Sequence, residues 1–208
     1  MGNALESSGV SPRPHRIAIL GSGKGSNARA ILEAIGKRTL TAEVALILTD
    51  QPVAGILNVA SEFGIPSFVI DPGEGKRGHL SDEALQEIVD QLRSFDVEWV
   101  ILAGFMKILR DPLLFAFGNR IINLHPSLLP KYPGLNTVKR AIEAGEKETG
   151  CTIHLVDRGV DTGKILHQSR VPIEPYDSIE AVTAKVHEAE HKAYPMVIGK
   201  MIAGEYST

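Results

Sequence analysis

Apolar and polar positions along the chain change period several times, and those changes divide it into short elements. Runs at residues 17–20, 44–49, 67–70, 99–102 and 121–124 are rich in Ile, Leu and Val, the composition of strands in a covered sheet. Between most of them apolar residues recur at helical spacing, which predicts a parallel α/β sheet. The clearest early helix is predicted over 81–95. Ser81 can cap it, Asp82 and Glu83 suit the positive end of its dipole, and Ala84, Leu85, Ile88, Val89 and Leu92 form a stripe that should lie on the sheet.

After residue 125 the pattern changes. Residues 135–144 read as a helix, 151–156 and 164–171 as strands, and the Gly-Val-Asp-Thr-Gly loop at 159–163 joins those strands into a hairpin. A last helix opens with Asp177 and Glu180 spaced as a capping box and carries Ile179, Val182, Val186 and Ala189 at helical spacing. Pro195 is expected to kink or end it. The expected fold class is α/β, a mostly parallel twisted sheet with flanking helices, extended by a C-terminal hairpin and helix.

The strand at 121–124 introduces chemistry. It delivers Asn123 and His125 to one face at its end, because side chains two apart on a strand point the same way. An amide and an imidazole that changes charge near neutral pH form a pair able to stabilise a developing oxyanion. The alternative is a buried structural hydrogen bond. Pro126 stops the ladder, which predicts the pair at an open edge.

A length of 208 residues implies one domain, or one with an appendage, able to bury roughly 70% of the unfolded surface. The balance of 22 Lys and Arg against 25 Asp and Glu, a formal charge of -3, leaves no basic footprint for nucleic acid and no polybasic membrane patch. A small-molecule or protein partner is expected. Cys151 is the single cysteine, so no internal disulfide can form, and its apolar surroundings predict a buried thiol. Residues 1–14 contain no continuous apolar stretch, and Glu6 stands where a myristoylation motif requires Ser or Thr. A cytoplasmic protein with a disordered tail over 1–14 is expected.

Four further candidate sites stand beside that pair. The Gly-Ser-Gly-Lys-Gly-Ser-Asn run at 21–27 follows the first strand and opens the first helix, where free backbone N–H groups bind phosphate. Its glycine order matches neither the dinucleotide nor the Walker pattern, and a plain tight turn is the alternative. Asp50 ends the second strand, where a dinucleotide enzyme holds a ribose hydroxyl, but Asp-Gln-Pro also reads as an ordinary turn. His187, Glu188 and His191 match HExxH on a predicted helix, the pattern of a zinc peptidase. Only Glu205 offers a third ligand downstream, and Pro195 disturbs the helix just beyond, so no metal is expected. Asp161, between Gly159 and Gly163, is placed to bring a carboxylate against the strand end bearing His125; a capped turn is the alternative. His154 reads as a core histidine with a possible supporting role.

Four runs together carry a resemblance: residues 21–27, Leu-Ala-Gly-Phe-Met-Lys-Ile-Leu at 102–109, Asn-Leu-His-Pro-Ser-Leu-Leu-Pro-Lys-Tyr-Pro-Gly at 123–134, and 159–163. They resemble the phosphoribosylglycinamide formyltransferases, within the formyltetrahydrofolate-dependent formyltransferase group, and the likeness extends over 16–201. The resemblance implies a single formyltransferase domain over 15–208, with a Rossmann-like phosphate-binding half at 15–120 and a catalytic and folate-cleft half at 121–208. The implied reaction moves formyl from 10-formyltetrahydrofolate, a co-substrate, to glycinamide ribonucleotide.

By the same resemblance Asn123, His125 and Asp161 are catalytic, with His125 protonated and Asp161 moving protons through a water. Gly25, Ser26 and Asn27 hold the substrate phosphate, Glu190 lies near the glycinamide, and Met106, Lys107, Ile108 and Leu109 line the folate pocket. A monomer or homodimer acting on small molecules is implied. The run Glu190, His191, Tyr194 and Pro195 belongs to the family pattern, which reassigns the HExxH match. Four positions depart from the usual pattern: Lys24 where a neutral residue is common, Lys107 for Arg, Asn136 for His and His187 for Gln. A point ammonium cannot reproduce a planar fork, so acceptor preference and the folate contact are the features these changes touch. A formyltetrahydrofolate hydrolase, or transfer to another amine, is the alternative; additional domains of the hydrolase and of the tRNA-directed relative have no counterpart in these residues.

Overall fold

The computed structural model of the chain describes residues 13–74 and 78–206. In chain order the elements are β1 (His15–Leu20), α1 (Ser26–Gly36), β2 (Ala42–Thr49), α2 (Gly55–Glu62), β3 (Ser67–Val69), α3 (Asp82–Ser94), β4 (Trp99–Leu102), α4 (Leu113–Phe117), β5 (Ile121–His125), α5 (Thr137–Glu143), β6 (Glu148–Leu155), β7 (Ile165–Pro172) and α6 (Ile179–Ile202). The strands form one sheet in the order β3-β2-β1-β4-β5-β6-β7. The first five are parallel, while β6 and β7 run antiparallel and form the expected hairpin. Order 3-2-1-4-5 is that of a Rossmann-like sheet, and it places a topological switch between β1 and β4, where ligands enter at the carboxyl ends of the strands.

Alternation along the strands sorts side chains into two cores. Ile17, Ile19, Ile101, Ile122 and Leu124 face α1, α2 and α6, whereas Ala18, Leu20, Val100, Leu102 and Ile121 face α3 and α4. Each fully buried Ile or Leu contributes ~1.5–3 kcal/mol, so both faces of the sheet need cover. The stripe expected on α3 lies in the second core, and the Ser81 hydroxyl accepts the Ala84 N–H at 3.1 Å, the predicted cap. Residues 1–12 of the expected tail lie outside the described residues; Arg13 Nη2 stands 3.8 Å from Glu98.

Several expectations need correction. The strand predicted over 151–156 begins at Glu148, and the helix predicted over 135–144 occupies Thr137–Glu143. The last helix is capped by Ser178, which accepts the Ala181 N–H at 3.1 Å, while Asp177 instead binds Lys185 Nζ at 2.7 Å. Pro195 does not end that helix, which continues to Ile202. A proline interior to a helix costs about 3 kcal/mol. Here Tyr194, Val197, Ile198 and Met201 are buried around it, and the Tyr194 hydroxyl bonds the carbonyls of Leu102 at 2.8 Å and Ile122 at 3.0 Å. That anchorage ties α6 to the end of β4 and the start of β5 and overrides the local break. Nor does His125 stand at an open edge: β5 pairs with β4 on one side and β6 on the other, so Pro126 ends an interior strand. Among the described residues no helix is long and apolar enough to cross a membrane.

Candidate active site

Asn123 and His125 extend the row begun by Ile121, on the α3 and α4 face of β5, at the point where the core runs out. Across the antiparallel register Asn123 faces His154 and His125 faces Thr152. The Asn123 Nδ2 stands 3.1 Å from His154 Nε2 and 3.5 Å from Asp161 Oδ1. His154 Nδ1 lies 2.8 Å from the Leu155 carbonyl, a contact that fixes the orientation of the ring beside Asn123 and Asp161. Asp161 Oδ2 accepts the Gly134 N–H at 2.9 Å and faces His125 Nδ1 at 3.3 Å; its Oδ1 lies 3.7 Å from His154 Nε2. The structure therefore brings Asn123, His125, His154 and Asp161 together.

The loop after β5 completes the cluster. His125 Nε2 lies 2.9 Å from the Tyr132 carbonyl, a partner that residue types alone do not reveal. The loop is pinned by Thr137 Oγ1 to the Pro126 carbonyl at 2.6 Å, by Arg140 Nη1 to the Pro133 carbonyl at 2.6 Å, and by the Tyr132 hydroxyl to Glu146 at 2.9 Å. Asp161 itself has φ 56°, left-handed backbone that Asp tolerates better than most residues.

Electrostatics qualify the expected imidazolium. Both nitrogens of His125 face acceptors, and only the protonated ring has a hydrogen for each. Burial nevertheless pulls its pKa below the usual imidazole value, against the opposing pull of the Tyr132 carbonyl and Asp161. Burial raises the Asp161 pKa, but His154, the Gly134 N–H and His125 outweigh it and hold the carboxyl below its ordinary range. The resting site thus holds an ionised carboxylate beside a ring that resists protonation.

The glycine loop lies along the same end of the sheet. Gly25 has φ 80°, and a Cβ there would stand 2.8 Å from Ile56 Cα, so only glycine fits. No side chain caps α1, which leaves the first-turn N–H groups of Ser26 and Asn27 available to an anion. Asn27 Nδ2 donates to Glu190 Oε2 at 3.0 Å, while the buried Asn27 Oδ1 has no donor among the described residues. Burial pushes the Glu190 carboxyl above its ordinary range, although the Asn27 amide and His187 favour the charge. Lys24 is exposed on this loop, and Asn136, with φ 57°, precedes α5.

The four expected folate-wall residues separate. Met106 is 61% and Ile108 37% exposed, whereas Leu109 is buried in the core beneath and Lys107 Nζ turns to Asp50, 3.6 Å away. Asp50 accepts from the Ser22 hydroxyl at 2.5 Å, so the carboxylate expected for a dinucleotide ribose is already engaged. In the HExxH segment the rings of His187 and His191 stack with centroids 6.3 Å apart, and Glu190 rather than Glu188 is the buried acid. Among the described residues no three His, Cys, Asp or Glu side chains converge as a metal requires.

The formyl transferase family pattern matches residues 15–198. The phosphoribosylglycinamide formyltransferase of Bacillus subtilis is 40% identical over 187 residues, which cover 90% of this chain and 94% of that protein. The chain belongs to the phosphoribosylglycinamide formyltransferase family. It is similar also to the trifunctional purine biosynthetic protein adenosine-3 of Drosophila melanogaster, at 42% identity over 94% of this chain, but spans only 14% of that longer protein. The crystal structure of glycinamide ribonucleotide transformylase 1 from Symbiobacterium toebii superposes with a TM-score of 0.89 at 36% identity, covering 95% of this chain and 92% of that one. Family membership makes this chain a formyl transferase and gives its Rossmann-like sheet the expected relatives.

Proposed function

We propose that this enzyme transfers the formyl group of 10-formyltetrahydrofolate to the amine of glycinamide ribonucleotide, a step of purine biosynthesis, with Asn123, His125 and Asp161 as its catalytic residues. The observation that carries the reading is the convergence of those three side chains at the end of β5, in a chain of this family.

The amine lone pair attacks the formyl carbon, a C–N bond forms, and the carbonyl electrons move to oxygen. Asn123 donates to that oxygen with the Nδ2 hydrogen now directed at Asp161 Oδ1, which lies 3.5 Å from the nitrogen and is the weaker of its two contacts. His125 takes a proton from solvent as charge appears, because the oxyanion supplies what burial withheld; one ring N–H turns from its resting acceptor to that oxygen, and the proton returns to solvent when the oxyanion collapses. Each such donor is worth roughly 2.7–4 kcal/mol in the transition state. The attacking nitrogen then loses a proton to Asp161 through a water, Asp161 passes that proton to the departing folate nitrogen, and the folate C–N bond breaks as the oxyanion electrons re-form the carbonyl. His154 supports this by fixing the Asn123 amide. No step requires a metal.

Gly25, Ser26 and Asn27 hold the ribonucleotide phosphate. The phosphate is taken by the N–H groups of the turn, whereas the unpartnered Asn27 Oδ1 is an acceptor and suits a ribose hydroxyl or the amine of the same ribonucleotide, since a buried acceptor is normally satisfied. Glu190 contacts the glycinamide, and of the folate segment Met106, Lys107, Ile108 and Leu109 it is Met106 and Ile108 that face the folate, with Lys107 and Leu109 held behind them by Asp50 and the core. Residues 15–120 act as the phosphate-binding half and 121–208 as the catalytic half. The enzyme works in the cytoplasm as a monomer or homodimer on these two small molecules, with no nucleic-acid or membrane partner.

The test is direct. Purified protein is given 10-formyltetrahydrofolate with glycinamide ribonucleotide, with other amines, or with no amine. Rapid formyl transfer to the ribonucleotide alone is expected. Comparable formyl loss without an acceptor would establish a hydrolase, and preference for another amine would identify a different substrate.

A further inference from the structure

Asp50 is buried at the carboxyl end of β2, and none of the steps above uses it. Its Oδ1 accepts from the Ser22 hydroxyl at 2.5 Å; its Oδ2 accepts from Gln51 Nε2 at 2.7 Å and faces Lys107 Nζ at 3.6 Å. Taking a carboxylate out of water is unfavourable unless several donors satisfy it, and here the donors come from separate segments. Ser22 belongs to the glycine loop that follows β1. Lys107 belongs to the segment that follows β4.

Ser22 joins those segments a second time. Its Oγ accepts the Met106 N–H at 2.9 Å, and its own N–H donates to the Gly104 carbonyl at 3.0 Å. A Cβ at Gly21 would stand 2.8 Å from the Ala103 carbonyl oxygen, so the two backbones approach as closely as a glycine permits. Both segments leave the sheet at the switch between β1 and β4. A hydroxyl that accepts from one loop while donating to a fixed carboxylate has its single hydrogen and one of its two lone pairs committed.

We propose that Asp50 is a positioning residue: through Ser22 and Lys107 it ties the phosphate loop to the folate segment and so sets the spacing of the two bound substrates. The assignment of a substrate to each loop rests on the function proposed above; the tie between the loops does not. Loosening it should weaken both substrates together, because each binds a segment whose position the other shares.

The test uses the full-length protein and its Asp50→Ala, Ser22→Ala and double variants. Each single variant is expected to raise KM for both substrates by about 5–30-fold, with kcat held within about threefold. The double variant should be no worse than the worse single one, as expected for residues in one network. Asp50→Asn, which can still accept the Ser22 hydroxyl but offers no charge to Lys107, should bring the ribonucleotide KM back to within about threefold of the unaltered protein. Without any substrate, amide exchange at Met106 should quicken by about tenfold or more in both single variants. In Asp50→Ala or Ser22→Ala, a change in only one KM, a fall in kcat alone, or unchanged exchange at Met106 would overturn the proposal, as would multiplied effects in the double variant. Should the unaltered protein transfer no formyl group, the proposed function fails by itself, and exchange at Met106 still decides whether the tie exists. Should Asp50→Ala not fold, Ser22→Ala carries the same readouts.

Discussion

The cluster at the end of β5 and the glycine loop after β1 lie along one edge of one sheet, yet they are built in opposite ways. The cluster is made of side chains: Asn123, His125, His154 and Asp161 bond one another, and their backbones serve to hold them in register. The loop is made of backbone: Gly25 supplies a turn that no larger residue fits, and the groups offered to a ligand are N–H. One site therefore depends on chemical identity and the other on shape. Substitutions should divide accordingly, with the cluster losing rate while stability holds, and the loop losing affinity and stability while the chemical step survives.

The largest expected effect is at Asp161. Asp161→Asn keeps a residue that tolerates the left-handed backbone but removes the proposed proton carrier, and kcat should fall about 10²–10⁴-fold with only a small drop in melting temperature, from the lost charge contribution of the carboxylate. Asn123→Ala should cost about 10²–10³-fold in kcat, the loss of one oxyanion donor. Parallel assay and thermal unfolding check both; a rise in KM with kcat intact would move these residues to the loop's side of the comparison.

Gly25→Ala should do the reverse. Left-handed strain and contact with the Ile56 backbone should cost about 1–3 kcal/mol, lowering the melting temperature by about 2–4 °C per kcal/mol, and should raise KM for the ribonucleotide. Loss of kcat at full stability would erase the distinction drawn here.

A smaller effect concerns pH. The native His125 pKa is depressed, so as pH falls through the ordinary value of about 6.5 the unfolded chain gains a proton that the native ring refuses. The contribution of the neutral buried ring is present above that value and is lost toward the native pKa. Asp161, also depressed, keeps its contribution until pH falls below about 3.9 and stays out of that window. Melting temperatures between pH 7 and 5 should therefore fall less steeply in His125→Ala than in the unaltered protein. Smallest of all, Ser81→Ala should cost about 1 kcal/mol through loss of the α3 cap and leave every kinetic constant alone, which marks the scale of a purely structural change.

The two regions also differ in how far the sequence reveals them. Asn123 and His125 are legible because they interrupt an apolar strand at period two, and the cap at Ser81 because its stripe follows at once. The carbonyl of Tyr132 and the N–H of Gly134, which hold His125 and Asp161, leave no trace in residue type because any residue has those groups. Two helices, α2 and α4, are only 8 and 5 residues long and offer too few apolar repeats to single out. Pro195 misleads because local propensity knows nothing of Tyr194 anchoring α6 to β4 and β5. Asp50 reads as a turn residue until Ser22, Met106 and Lys107 are brought to it from 28, 56 and 57 residues away in the chain.

The central claim is that the β5 cluster moves a formyl group by stabilising charge on its oxygen. Single-turnover transfer of a carbon-labelled formyl group from 10-formyltetrahydrofolate, followed in the unaltered protein and in His125→Ala at saturating substrates, tests it most directly. The account expects the label to appear on the ribonucleotide amine in the unaltered protein, and about 10²–10³-fold more slowly in a folded variant. Label released as formate, or a variant that transfers at the unaltered rate, would contradict it.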